Sequence, residues 1–93
     1  MIINIPQEIC NYIELLQYET DSRKHLLAFM KKIDVNENEY NKLFKEYINF
    51  YIQLNEAKQY LENTFLKPEL KTNNFSWKLQ FNTGECEIKI NDE

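Results

Sequence analysis

The sequence predicts an α+β chain, mostly α, built as a long antiparallel helical hairpin followed by a C-terminal β-hairpin. Three observations carry that expectation. Two long stretches repeat apolar side chains at spacings of three and four, the signature of amphipathic helices. A short break, Asp34-Val35-Asn36-Glu37, separates them, and so short a connection forces an antiparallel return. After Pro68 the spacing changes to strict alternation, the mark of half-buried strands.

Helix one is predicted over about 6–33. Its apolar positions are Ile9, Tyr12, Ile13, Leu16, Leu26, Leu27, Met30 and Ile33, with Pro6 suited to the first turn and Glu8 complementing the dipole there. At the break, either Asp34 with Glu37 or Asn36 with Glu39 forms a capping pair that opens the next helix. Helix two, about 36–66, carries Tyr40, Leu43, Phe44, Tyr47, Phe50, Tyr51, Leu54, Ala57, Leu61 and Phe65 until Pro68 forbids continuation. Facing residue numbers across the hairpin are expected to sum to about 69 or 70, at ~1.5 Å rise each. That register sets Arg23 near Tyr47, Glu19 near Tyr51, Leu16 near Leu54 and Ile13 near Ala57, where the helices approach most closely.

The β-hairpin is predicted over about 75–90. Phe75 to Phe81 and Cys86 to Ile90 alternate, and Asn82-Thr83-Gly84-Glu85 between them holds the chain's one glycine, placed for φ > 0. Trp77, Leu79 and Phe81 on one strand and Cys86, Ile88 and Ile90 on the other are expected to face inward. A lone two-stranded hairpin is marginal in water, so it must lie on the helices or gain a third strand, for which Ile2 to Ile5 is the candidate.

Composition limits function. The 93 residues form one small domain, 43% hydrophobic and 28% charged. A net charge of -4 argues against a basic nucleic-acid footprint, and no apolar run approaches the ~18 residues of a membrane span. The start of the chain lacks a signal-peptide pattern, so a cytoplasmic protein is expected. Ten of the eleven Lys and Arg are Lys and Asn is abundant, a usage associated with AT-rich bacterial or phage genes. No phosphate-cradling, dinucleotide, nucleophile-elbow or H-E-x-x-H motif occurs. One His and two Cys cannot fill a zinc site without carboxylates, and Asp21 with His25 is a helical ligand pair without a second histidine to complete it. Neither an enzyme nor a cofactor is expected. Cys10 and Cys86, outside any C-x-x-C, are expected to be reduced and to behave as small hydrophobes.

The candidate binding residues lie where the pattern is interrupted. Tyr18, Glu19 and Arg23 break the apolar stripe of helix one; Glu19 and Arg23 form an i, i+4 pair, and the expected register sets them against Tyr47 and Tyr51. Read structurally, this is a polar layer whose tyrosine hydroxyls satisfy Glu19 and Arg23; read functionally, an Arg among Tyr is the composition of an interface hot spot. The aromatics of helix two exceed the roughly 100° arc that one neighbouring helix covers. Phe44, Ile48, Tyr51 and Ile52 therefore make a second stripe, expected to form a homodimer or partner surface or to be covered by the C-terminal hairpin. The strand edge near Trp77 is a candidate for accepting a peptide strand.

These same segments resemble a known family. Leu15-Leu16-Gln17-Tyr18-Glu19 with Arg23-Lys24-His25-Leu26-Leu27, then Glu39-Tyr40-Asn41-Lys42-Leu43 with Tyr47, then Ser76-Trp77-Lys78-Leu79-Gln80-Phe81-Asn82-Thr83 with Cys86-Glu87-Ile88 resemble, in order, the CXXX repeat peptide modification system proteins. Those are small accessory proteins encoded beside radical-SAM peptide maturases. Two departures stand out: Gly84-Glu85 is inserted before Cys86, and extra residues separate Tyr18-Glu19 from Arg23-Lys24. The resemblance implies a non-catalytic accessory or adaptor protein that binds a peptide or a peptide-modifying enzyme in a ribosomal-peptide modification system. The alternative is a small homodimeric structural or phage-type interaction module, such as an inhibitor of a host protein. On either reading the partners are a second copy and a protein or peptide, with no nucleic acid and no membrane.

Overall fold

A computed structural model of the chain describes residues 1–91. Strand β1 (Ile2–Asn4) leads into helix α1 (Gln7–Lys32), and helix α2 (Glu37–Leu61) returns antiparallel before a π-helical turn, Glu62–Leu66. Strands β2 (Phe75–Gln80) and β3 (Glu85–Ile90) follow. The architecture is the mostly helical α+β hairpin that the patterning predicts, with β1 as the third strand.

Local chemistry sets each boundary. Pro6 has extended backbone, and its carbonyl accepts from the N–H of Ile9 at 3.0 Å and of Cys10 at 3.2 Å, opening α1. At the far end Asp34 adopts φ 54°, the left-handed conformation that stops a helix, rather than capping the next one. Asn36 is the cap of α2: its side-chain oxygen accepts from the N–H of Asn38 at 2.7 Å. Of the two cap residues open in the sequence, Asn36 is the one that caps α2.

The π turn has a packing reason. Five residues at ~100° each would swing Leu66 about 140° away from Leu61 in an α-helix. The wider turn, closed by Lys67 N–H to the Glu62 carbonyl at 2.8 Å, brings both onto one face, and both are fully buried.

The sheet order is β1-β3-β2, antiparallel throughout. Ile3 and Leu79 flank Cys86, and Trp77 pairs with Ile88, so the inward face of the sheet meets the helices. Leu79, Cys86 and Ile88 are buried there as expected, and Trp77 and Phe81 are half-buried. Ile90, at the end of β3 on the same face by alternation, is 42% exposed, which corrects the expectation that it is buried there.

The core gathers at one end, where Cys10, Ile13 and Leu16 of α1 meet Leu54, Ala57 and Leu61 of α2 under the sheet. Beyond that base the two helices continue as a bare arm. The radius of gyration is 16.5 Å with extents of 50 × 32 × 17 Å. A compact chain of this length would have about 12 Å. No helix among the described residues is long and apolar enough to cross a membrane.

Candidate protein-interaction surfaces

Glu19 and Arg23 come together as their spacing predicts. Arg23 Nη1 donates to Glu19 Oε2 at 2.6 Å and to the Glu19 carbonyl at 3.1 Å, with both side chains half-buried. Their expected partners differ. The Arg23 guanidinium lies 4.3 Å from the centre of the Phe50 ring, not beside Tyr47. Side chains on a helix lean toward its N-terminus, so long residues of α1 reach higher-numbered positions of the antiparallel α2 than a Cα register gives. The predicted layer of tyrosine hydroxyls on Glu19 and Arg23 is therefore corrected: Phe50 fills that place, and Arg23 Nε is buried without a partner. Next to it Thr20, also buried, donates its hydroxyl to the Leu16 carbonyl at 2.7 Å.

Tyr47 and Tyr51 belong to another feature. Tyr40, Phe44, Tyr47 and Tyr51 form a ladder along one flank of α2, with successive ring centres 6.4, 6.3 and 6.0 Å apart. This flank continues the face on which the sheet sits. Gln17 of α1 and Lys58 and Glu62 of α2 line a cleft with Trp77, Leu79 and Phe81. Lys24 and Ala28 follow Gln17 by seven and eleven residues, and Tyr47 and Tyr51 precede Lys58 and Glu62 by eleven, each within about 20° of whole turns. The sheet thus covers the base of this face, and on the arm the same face opens as a groove between the ladder and α1.

Tyr18 points the other way and is 67% exposed. With Leu15, Leu26, Phe29 and Ile33, all more than two-fifths exposed, it makes an apolar stripe at spacings that keep one side of α1. Leu16, Thr20 and Leu27 are the buried side, so the stripe faces away from α2. Leu26 and Ile33, which their spacing counts in the apolar face of helix one, are exposed on this outer side instead. The signal of the stripe was the apolar doublets Leu15-Leu16, Leu26-Leu27 and Phe29-Met30, which a helix can satisfy only by being apolar on two faces. On α2, Phe44, Tyr51 and Ile52 stay exposed, so the C-terminal hairpin does not cover that stripe.

Trp77 sits at the base, where its indole N–H donates to Glu62 Oε1 at 2.7 Å and ties β2 to the end of α2. β2 is an edge strand, as peptide addition requires. The six candidate residues thus fall into four places: Tyr18 on the outer stripe, Glu19 and Arg23 between the helices, Tyr47 and Tyr51 on the ladder, and Trp77 at the sheet. His25 is exposed, and among the described residues no three metal-ligating side chains cluster. Cys10 and Cys86 are free and buried. Burial, reinforced by the neighbouring Cys10, pushes the Cys86 thiol up to about 11, and burial also raises Cys10. Thiols held protonated in this way are poor nucleophiles.

No family model matches the chain, and no curated protein or solved structure matches it.

Proposed function

We propose that this chain is a non-catalytic accessory protein that engages a protein or peptide through its helical arm and self-associates through the outer stripe of α1. The observation that carries the reading is that stripe: Leu15, Tyr18, Leu26, Phe29 and Ile33 lie exposed on the side of α1 turned away from its only helical neighbour. Exposed apolar surface of this kind, here two short runs on either side of Ser22, marks interaction sites. The surface area agrees, since the chain exposes 6900 Å² against about 5,700 Å² for a compact monomer of its mass. The excess, roughly 1,200 Å², is on the scale of one partner's share of a stable interface.

The finer reading, an adaptor in a ribosomal-peptide modification system, rests on the segments around Tyr18-Glu19, Glu39-Tyr40 and Trp77 that resemble such accessory proteins. The protonated, buried thiols fit a non-catalytic part. Titration of the chain with a CXXX-repeat precursor peptide and with a radical-SAM peptide maturase tests this reading. Binding to one of them that is weakened at least tenfold by Tyr47→Ala with Phe44→Ala is the expected result; binding to neither would remove the adaptor role. The surface excess alone equally favours a homodimeric structural module, which self-associates and has no affinity for either probe.

A further inference from the structure

The open half of the sheet-bearing face has a chemistry of its own. Its floor is Leu27 and Ala28 of α1 against Tyr40, Phe44 and Tyr47 of α2. Ala28 leaves room above the rings where a larger residue would close the groove. Its rim is Lys24, Lys31 and Lys32, all exposed, and among the described residues none enters an ion pair. No acidic side chain lines it; Asp21, one turn toward the base, is held by Gln17 at 3.0 Å. In a chain of net charge -4, an apolar floor edged by three lysines is a local inversion of charge, bounded at the tip by a cleft where Lys31 and Tyr40 meet Asp34 and Glu37.

We propose that this groove binds an acidic amphipathic helix of a partner protein or peptide, its apolar residues on the Phe44 and Tyr47 rings and its carboxylates on Lys24, Lys31 and Lys32. The inference rests on the adaptor reading above and specifies the partner. Charge complementarity selects the acidic character, because only anionic side chains find partners along the rim. The geometry selects a helix: a cleft between two antiparallel helices accepts a third, and Tyr40 to Tyr51 spans about 16 Å, near three helical turns. Single-stranded nucleic acid also stacks on aromatics beside cations. Tyr40 stacks on Phe44, however, the other ladder rings tilt against their neighbours along the flank, and the net negative charge of the chain repels a polyanion at long range.

The test is selection of displayed random 16-residue peptides on the wild-type protein, followed by anisotropy titration of the winners and of a 15-nucleotide oligo-dT. The expected winners carry net negative charge with apolar residues at spacings of three and four. They should lose at least tenfold in affinity on a Lys24→Glu, Lys31→Glu, Lys32→Glu variant and on Phe44→Ala, and weaken as salt rises. Lys→Gln at the same three positions, which keeps the helix without adding charge, should give an intermediate loss. Neutral or basic winners, equal affinity for the charge-reversed variant, tighter binding of oligo-dT, or no enrichment would each overturn the proposal. Winners that instead lose binding on Leu26→Glu would place the partner on the outer stripe, leaving the adaptor reading intact while the groove assignment fails.

Discussion

Gly84 shows how one residue can be required twice. Its φ of 75° lies in the left-handed region, and a Cβ there would sit 2.7 Å from the Ile5 carbonyl oxygen. Its own carbonyl accepts from the Ile5 N–H at 2.7 Å, so the approach that excludes a side chain is the one that docks β1. Gly84→Ala is expected to lower stability by about 2 kcal/mol or more, from backbone strain and the clash together, measured by urea unfolding. The positive φ was readable from the lone glycine in a polar turn. The close approach was not, because it depends on a strand some eighty residues earlier in the chain. Cys86 gives a pH prediction at the same scale. The unfolded thiol ionises near ~8.5 and the folded one at about 11, so between those values the native state holds a proton that the unfolded chain has lost. Stability from this group is therefore full below ~8.5 and falls as pH rises, by up to ~1.4 kcal/mol per pH unit. Urea midpoints from pH 7.5 to 10 should show a steeper fall for the wild type than for Cys86→Ala; parallel curves would mean the thiol titrates freely when folded.

Among the elements, those with a strong internal period were the legible ones. Both helices, the alternating strands and the connection stand close to where spacing and punctuation put them, because each is decided by neighbours in sequence. What the pattern hid were relations between elements. The lean of Arg23 along the helix carries its guanidinium to Phe50 instead of Tyr47, the π turn brings Leu66 back beside Leu61 in the core, and the order β1-β3-β2 makes the last strand central. Each is set by packing against a surface that a single segment does not encode. The join of sheet to helices is testable through Trp77. Trp77→Phe keeps an aromatic ring at the sheet and removes the bond to Glu62, so a loss of about 1–2 kcal/mol is expected in thermal or urea melts, with Glu62→Gln losing less because its amide oxygen still accepts. Equal stability of Trp77→Phe and wild type would show that the sheet is held by apolar contact alone.

The molecule as a whole is a base with a core and an arm without one. Leu79, Cys86, Ile88 and Leu66 surround the base, while past Thr20 the arm has only Leu27 fully covered, so its stability must come from the helix pair and whatever docks on it. Two outer faces result. The stripe of Leu15, Tyr18, Leu26, Phe29 and Ile33 is the face proposed for a second copy, and the aromatic groove edged by Lys24, Lys31 and Lys32 the face proposed for an acidic helix. Excess aromatic surface is legible in the sequence, which offers Phe44, Ile48, Tyr51 and Ile52 of α2 as a homodimer or partner surface, whereas the proposed self-association uses the outer stripe of α1. Only the fold separates the faces, by showing which side of α1 is buried. The direct test is solution mass by light scattering over a range of concentrations, for the wild type and for Leu26→Glu with Phe29→Glu. The account predicts twice the chain mass for the wild type and a folded monomer for the variant; a wild type that stays monomeric at every concentration would contradict self-association through α1.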